Sequence, residues 1–374
     1  MSTSAAYIFH AVLIRDIGSL ERTLPGASAL IGPSIADNLL RNPDTRPDSP
    51  CLFCLVDGSG QVVCWIRAFS DQLSVDGDER QWLWTGDLTT LPEFRRRGLA
   101  TRLQRESTKW ALDRDTGRGS VFSTDETLHI YRKLGYLLPG HAARSVLIRS
   151  VRPIVEAHVT SEWAKPVARA VGQPVAGLAN KLIEYRCRRW RVGSHAELCQ
   201  GVTDPAVRAV LSSAERWMPV RFSLTPAKLQ WKIEHSVRRG AQVELLAIVD
   251  THDAPLAFAV LRTRLETKPL AERYRDFRCT TLMDFVLAEP SERAARVMVA
   301  HVCKHFLDSP GGDVLQLISY DAGVTRLARQ LGALRAGRGM SFACVLPQSL
   351  EPPGVASDIS KWPVTHFSGD GPFI

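Results

Sequence analysis

One stretch limits the choice of fold more than any other. Gln81 to Thr90 (QWLWTGDLTT) is aromatic and β-branched and predicts a strand. Leu99, Leu103, Trp110 and Ala111 recur at helical spacing, with Ser107 the small polar exception on that face, and predict a helix from Gly98 to Leu112. The turn between them, Leu91-Pro92-Glu93-Phe94-Arg95-Arg96-Arg97-Gly98, holds three arginines and a glycine. A strand, a basic turn and a helix N-terminus make an anion site. The first helical amides lack acceptors and carry partial positive charge. Gly98 lets the backbone approach a ligand where a Cβ would stand.

A second segment, Tyr131-Arg132-Lys133-Leu134-Gly135-Tyr136, lies further on. With Arg95-x-x-Gly98-x-Ala100 behind Pro92-Glu93, it resembles the paired motifs of the GNAT acyltransferases. The resemblance implies an α+β domain with a mixed, mostly antiparallel sheet. It implies that Arg95, Arg96, Arg97, Gly98, Leu99, Ala100 and Thr101 hold the pyrophosphate of acetyl-CoA. It further implies that pantetheine runs along the backbone of Leu88, Thr89 and Thr90, as an added strand would. Tyr131 takes the place of the family's general acid, which gives a proton to the departing thiolate. Thr124 stands where the family often has an asparagine, and a hydroxyl there replaces the amide. The amine acceptor must lose a proton before it attacks. Asp87, in the central strand, is the candidate base, with Asp125 and Glu126 as rivals.

At 374 residues the chain is expected to form about two domains. Net charge is +8, but the basic residues form local clusters (Arg95–Arg97 and Arg186–Arg191) rather than a tail. No nucleic-acid-binding signature accompanies them, so nucleic acid is not an expected partner. No run reaches the roughly 18–20 apolar residues of a membrane span, and Met1 to Tyr7 has no basic region before an apolar core, so a cytoplasmic protein is expected. Cys51 and Cys54 are spaced C-x-x-C inside an apolar strand, with no second pair, and read as buried thiols. His301 and His305 lie four apart on a helix without a third ligand nearby, and read as a helix face; no metal is expected.

Hairpin signals at Asp57-Gly58-Ser59-Gly60 and Asp250-Thr251-His252-Asp253 begin two similar runs of strands and helices. Setting Pro92 on Pro290 puts Arg296 opposite Gly98. Setting Gly135 on Gly332 puts Ala328 opposite Tyr131. The second copy thus lacks the chemical elements of the first. The expected organisation is two GNAT-like mixed-sheet domains in tandem: a catalytic domain (1–150), a partly helical linker (151–200), a degenerate domain (201–348) and a tail (349–374). In the linker, scattered prolines interrupt 151–175, and a helix with a basic, solvated end follows over 175–190, packed across both halves. The tail, from Trp362 to Phe373, loosely resembles the ending of tandem GNAT proteins linked to bacterial polysaccharide synthesis. The function expected is transfer of an acetyl group from acetyl-CoA to a small primary amine such as an amino sugar. The alternatives are an inactive scaffold or CoA-binding protein, and acetylation of a protein or peptide amine. Oligomeric state is left open.

Overall fold

The computed structural model describes residues 7–24, 26–121, 123–266 and 276–350, with Trp362, Val364 and Thr365. The first half runs β1 (Ile8–Leu13), three short helices α1 (Leu20–Thr23), α2 (Ala27–Ile31) and α3 (Pro33–Arg41), then β2 (Pro50–Val56), β3 (Val62–Val75), β4 (Asp78–Thr90), α4 (Leu99–Leu112), β5 (Gly117–Val121), α5 (Asp125–Lys133) and β6 (His141–Ile148). Helices α6 (Arg152–His158) and α7 (Ala164–Trp190) follow. The second half runs β7 (Ser194–Leu198), α8 (Pro205–Trp217), β8 (Val220–Phe222), α9 (Pro226–Arg238), β9 (Gln242–Asp250), β10 (Pro255–Glu266), β11 (Phe277–Leu287), α10 (Glu292–Asp308), β12 (Val314–Ser319), α11 (Ala322–Leu331) and β13 (Leu334–Val345).

The strands form one sheet in the order β1-β2-β3-β4-β5-β13-β6-β12-β11-β10-β9-β7, with β8 attached to β3. This order is a palindrome of the repeat. β1 to β5 correspond to β7 and β9 to β12, and the centre is an exchange. β13 pairs with β5 (Phe342 opposite Val121), and β6 pairs with β12 (Leu317 opposite Ser145). The two segments that end the first half, around Leu137 and in β6, do not pair with each other. Instead Leu137 bridges to Cys344, and β6 crosses to the other half. Each half therefore receives its last strand from its partner.

Leu83 faces α4 with Leu99 and Leu103, whereas Trp82 and Trp84 face the opposite side. There they meet Phe222 of β8, Phe342 of β13 and Trp362, with ring centroids 4.7–6.3 Å apart. Gly119 of β5 is required by these indoles: a Cβ there would lie 2.8 Å from Cζ2 of Trp82 and from Cζ3 of Trp84. On the same side of the sheet a buried ammonium ties the halves together. Lys228 Nζ reaches Asp44 (2.6 Å), Asp71 (3.5 Å) and the Asn42 side-chain oxygen (2.8 Å), and Asp71 also accepts from Trp84 Nε1 (2.9 Å). Of the tail, Trp362 and Val364 are buried; the patterned residues 366–373 lie outside the described ones.

The linker is more helical than its prolines imply. Pro166 lies in the first turn of α7, where no intrahelical donor is needed, and Pro174 is absorbed within the helix. Helix α7 packs chiefly on α10 and α11 of the second half, through Ile183 and Cys187, while Gln173 also bonds the Arg149 carbonyl and the Val151 N–H at the end of the first half. Cys51 and Cys54 are buried, and burial pushes both thiols up to about 12.

A methyl group added at position 119 would press on both packed indoles, and both must give way. Gly119→Ala should lower stability by about 1–3 kcal/mol, read as a fall in urea midpoint at unchanged m-value. Stability should also depend on two buried imidazoles. His301, whose Nε2 lies 3.0 Å from Ser194 Oγ, is pushed down to about 3, and His235 to about 4, burial being the main cause in both. The unfolded state then binds more protons, so their contribution is complete above pH 6.5 and is lost as pH falls from 6.5 toward those values. Asp284, pushed up to about 6 by burial, acts in the opposite sense below pH 6. The contribution of His301 is therefore read by difference: His301→Gln should give a shallower loss of stability from pH 6.5 to 4 than the parent protein.

Candidate active site

Strand β5 pairs with β4 only from Trp82 to Trp84, against Gly117 to Gly119. Beyond that point the two parallel strands part, and Thr85 Oγ1 bonds the Gly119 carbonyl at the fork (3.2 Å). From Gly86 onward β4 is paired with β3 alone. The β3–β4 register shifts between Arg67 and Trp65, so that Asp87 and Leu88 both stand against Ile66, and Asp87 has φ +57°. This is a β-bulge, which bends the strand and turns a side chain. The wedge beside Leu88, Thr89 and Thr90 thus has an unpaired strand edge on one wall.

The wedge ends on the basic turn. Leu91 N–H bonds the Val63 carbonyl, Pro92–Phe94 makes a single tight turn, and Arg96 and Gly98 both have positive φ (60° and 75°). Gly98 is the N-cap of α4 and no side chain caps the helix, so the amides of Leu99, Ala100 and Thr101 have no intrahelical acceptor. A Cβ at Gly98 would meet no protein atom, so its backbone angle, not crowding by this chain, calls for glycine. Arg95 Nε is engaged by the Thr90 carbonyl (3.2 Å), and Arg97 by the Glu93 carbonyl (2.9 Å) with its guanidinium over Phe94. Arg96 is exposed at the crest of the turn.

Behind the wedge lies a buried polar chain. Arg118, fully buried in β5, donates to Gln104 Oε1 (2.6 Å), the Gln104 carbonyl (3.2 Å) and Thr108 Oγ1 (2.8 Å). With its oxygen fixed by Arg118, the Gln104 amide turns Nε2 to the Tyr131 hydroxyl, 3.3 Å away. Tyr131 is 1% exposed and stacks on Tyr136, whose own hydroxyl is 2.7 Å from Thr108 Oγ1. Burial pushes the Tyr136 phenol up to about 12.

The other candidates fall elsewhere. Asp87 turns to the opposite side of the sheet, where its carboxylate is held by Arg67 at 2.5 Å, and Arg67 also donates to the Leu30 carbonyl. With Arg67, Gly86, Ile35 and Leu39 it lines a small recess beside α3. Thr124 is the N-cap of α5 and accepts from Thr127 N–H (3.3 Å), which gives its hydroxyl a structural task. Asp125 and Glu126 are exposed in the first turn of α5. His301 bonds Ser194, and His305 bonds Glu244 (3.1 Å) and Ser309 (3.3 Å). A cavity of about 410 Å³ lies at the other end of β4, bordered by Arg15, Asp44, Trp110 and Arg114, away from the wedge. Arg67, Gln104 and Arg118 were not singled out from sequence. Nothing local marks an arginine between two strand glycines as buried, and Gln104 sits on the apolar side of a helix as any satisfied amide can.

The second copy retains the frame without the cradle. β11 pairs with parallel β12 as far as Leu282 and then parts from it, and the β10–β11 register shifts at the same level. There Ser291 caps α10 by accepting from Ala294 N–H, and Arg296 is paired with Glu292 and stacked on Trp190.

Residues 24–136 match the model of the acetyltransferase (GNAT) family. The chain carries a GNAT acyltransferase domain. No curated protein matches the chain by sequence. Among solved structures, a GCN5-related N-acetyltransferase from Anabaena variabilis is 12% identical with a TM-score of 0.54, over 91% of this chain and 73% of that one. Saccharomyces cerevisiae N-myristoyltransferase with bound myristoyl-CoA is 9% identical with a TM-score of 0.52, over 92% and 85%. A GCN5-related N-acetyltransferase from Kribbella flavida is 16% identical with a TM-score of 0.51, over 92% and 72%. These likenesses extend through both halves and show a shared fold, in which the GNAT frame occurs twice.

The Arg118–Gln104 pair should behave as one unit. Gln104→Leu leaves a buried guanidinium without its shortest bond and should cost about 3 kcal/mol. The double variant Gln104→Leu/Arg118→Met should lose less than Gln104→Leu alone, and a double-mutant cycle in urea measures the difference.

Proposed function

We propose that the protein transfers an acyl group, acetyl in the first instance, from acyl-CoA to a primary amine. The observation that carries this is the unpaired edge of β4 beyond Trp84, leading directly to an uncapped helix N-terminus with three arginines. A ligand with a peptide-like arm and a pyrophosphate fits that order of groups. Amides of the arm would pair with the backbone of Leu88 to Thr90, and the phosphates would meet the amides of Leu99 to Thr101 with Arg95, Arg96 and Arg97 around them. Binding along Thr90 requires Arg95 to exchange the Thr90 carbonyl for phosphate.

The thioester supplies an acyl carbon open to attack. The amine forms the new C–N bond as the C–S bond breaks, and the thiolate needs a proton. Tyr131 is suited to give it: its oxygen accepts from Gln104 Nε2, so its own hydrogen is not used in that bond. Asp87 is the proposed base on the acceptor side, directly or through water, with Arg67 fixing the carboxylate. Burial pushes the Arg239 guanidinium below its ordinary value, and Arg264, Asp87 and Arg67 lie within its electrostatic reach, so the side of the sheet that holds Asp87 carries three arginines, of which Arg67 and Arg264 are paired with Asp87 and Glu266. Such a surface favours an acceptor that carries its own negative charge, which supports a phosphorylated amino sugar over a cationic peptide. A second reading rests on the burial of Tyr131: a chain that binds CoA without turning it over, with the tyrosine as packing.

Calorimetry with acetyl-CoA, and turnover with phosphorylated and neutral amino sugars, test the proposal. Tyr131→Phe should lower kcat about 100-fold or more and leave acetyl-CoA affinity within about twofold. Absence of binding at millimolar acetyl-CoA by folded protein overturns the acyl-CoA reading. Binding with equal turnover by Tyr131→Phe removes Tyr131 as the acid.

A further inference from the structure

Helix α7 presents an apolar stripe that stands exposed among the described residues. Val167, Val171, Val175, Leu178, Leu182 and Tyr185 are each at least half exposed, and Trp163, just before the helix, is 79% exposed. At 3.6 residues per turn, the six helical positions fall within an arc of about 80°. Ile183 and Cys187, which bury the helix against α10, lie on the other side. The stripe runs along a helix about 40 Å long at 1.5 Å per residue. Single exposed apolar residues are ordinary, but a continuous row of this length marks a contact surface.

Charge decides among the occupants. From 164 to 191 there are seven basic residues and one acidic residue. Lys181, Arg188 and Arg189 are exposed beside the stripe or at its end. The one acid, Glu184, is held by Lys304 at 3.1 Å. Near the other end, Glu156 and Glu162 are engaged by Lys165 and Arg169. A second α7 laid antiparallel on the stripe would set Lys181 against apolar residues and bring Arg188 and Arg189 to the end that carries Glu162, already engaged by Lys165; laid parallel, it would set all three against their own counterparts. Neither arrangement offers them a free carboxylate. An anionic lipid surface satisfies both features at once: acyl chains take the valines and leucines, and headgroups take the arginines. Trp163 and Tyr185, near the two ends of the stripe, suit the headgroup boundary. No helix among the described residues is long and apolar enough to cross a membrane, so the contact is one of lying on the surface.

We infer that α7 is an in-plane anchor that docks the protein on a membrane rich in anionic lipid. This stands apart from the acyl-transfer reading, since the main packing partners of α7 are α10, α6 and α11, none of which forms the wedge or the basic turn. The test is sedimentation of full-length protein with vesicles of phosphatidylcholine alone or with about 30% phosphatidylglycerol. Binding to the anionic vesicles should be at least about tenfold stronger. The variant Val175→Ser/Leu178→Ser/Leu182→Ser changes no charge and only exposed side chains, and should lose that binding about tenfold. Lys181→Glu/Arg188→Glu should weaken it as well. Equal binding to both vesicle types overturns the inference. So does undiminished binding by the triple serine variant, which would place the contact on another basic surface. A parent protein that is dimeric by sedimentation equilibrium, with a monomeric triple variant, would assign the stripe to a second copy instead.

Discussion

The packing of Trp82 and Trp84 sets the terms for much of the molecule. Both indoles leave the same side of β4, and the glycines of β5 let that strand lie close over them. Three pieces of the second half then close on the pair: Phe222, Phe342 and Trp362. The aromatic cluster fastens the halves to each other at the level where β4 and β5 still touch. One residue further on they separate. The wedge is therefore not a gap left by poor packing; it begins where a dense contact ends, and that contact fixes its inner end.

The contrast between the copies locates the specialised features. Both have the forked strands and the shifted register, so these belong to the frame. What differs is the start of the following helix. In the first half Gly98 leaves it open; in the second Ser291 closes it with a side-chain bond. A hydroxyl cap and an anion cannot both take the same amides. The arginine opposite Gly98, Arg296, is likewise occupied by Glu292 and Trp190.

Local features were legible in the sequence. The strand before the basic turn, the helix after it, both hairpins and the repeat all follow from periodicity and turn residues. The turn at Arg95–Gly98 was legible too, because positive charge and glycine coincide at a strand–helix junction. Contacts between distant segments were not. Nothing in His141–Ile148 says that it will pair with β12, since an alternating strand fits any edge of matching polarity. The prolines of α7 were misleading because Pro166 sits in the first turn, where no donor is needed, and the cost of Pro174 inside the helix, about 3 kcal/mol, is offset by the packing of that helix. Arg118 was hidden for a related reason: its acceptors come from a neighbouring helix, and only the folded chain brings Gln104 to it.

The exchange of last strands has a consequence for how the protein comes into being. The ribosome delivers β5 long before β13, and until Leu334–Val345 emerges the edge that β13 will cover is bare. The first half must wait, half-finished, for the end of its own chain. During that wait it offers a strand edge and two large indoles to any passing segment. Translation speed through the second half, and protection of the nascent first half, therefore enter the yield of native protein as directly as any contact in the finished fold.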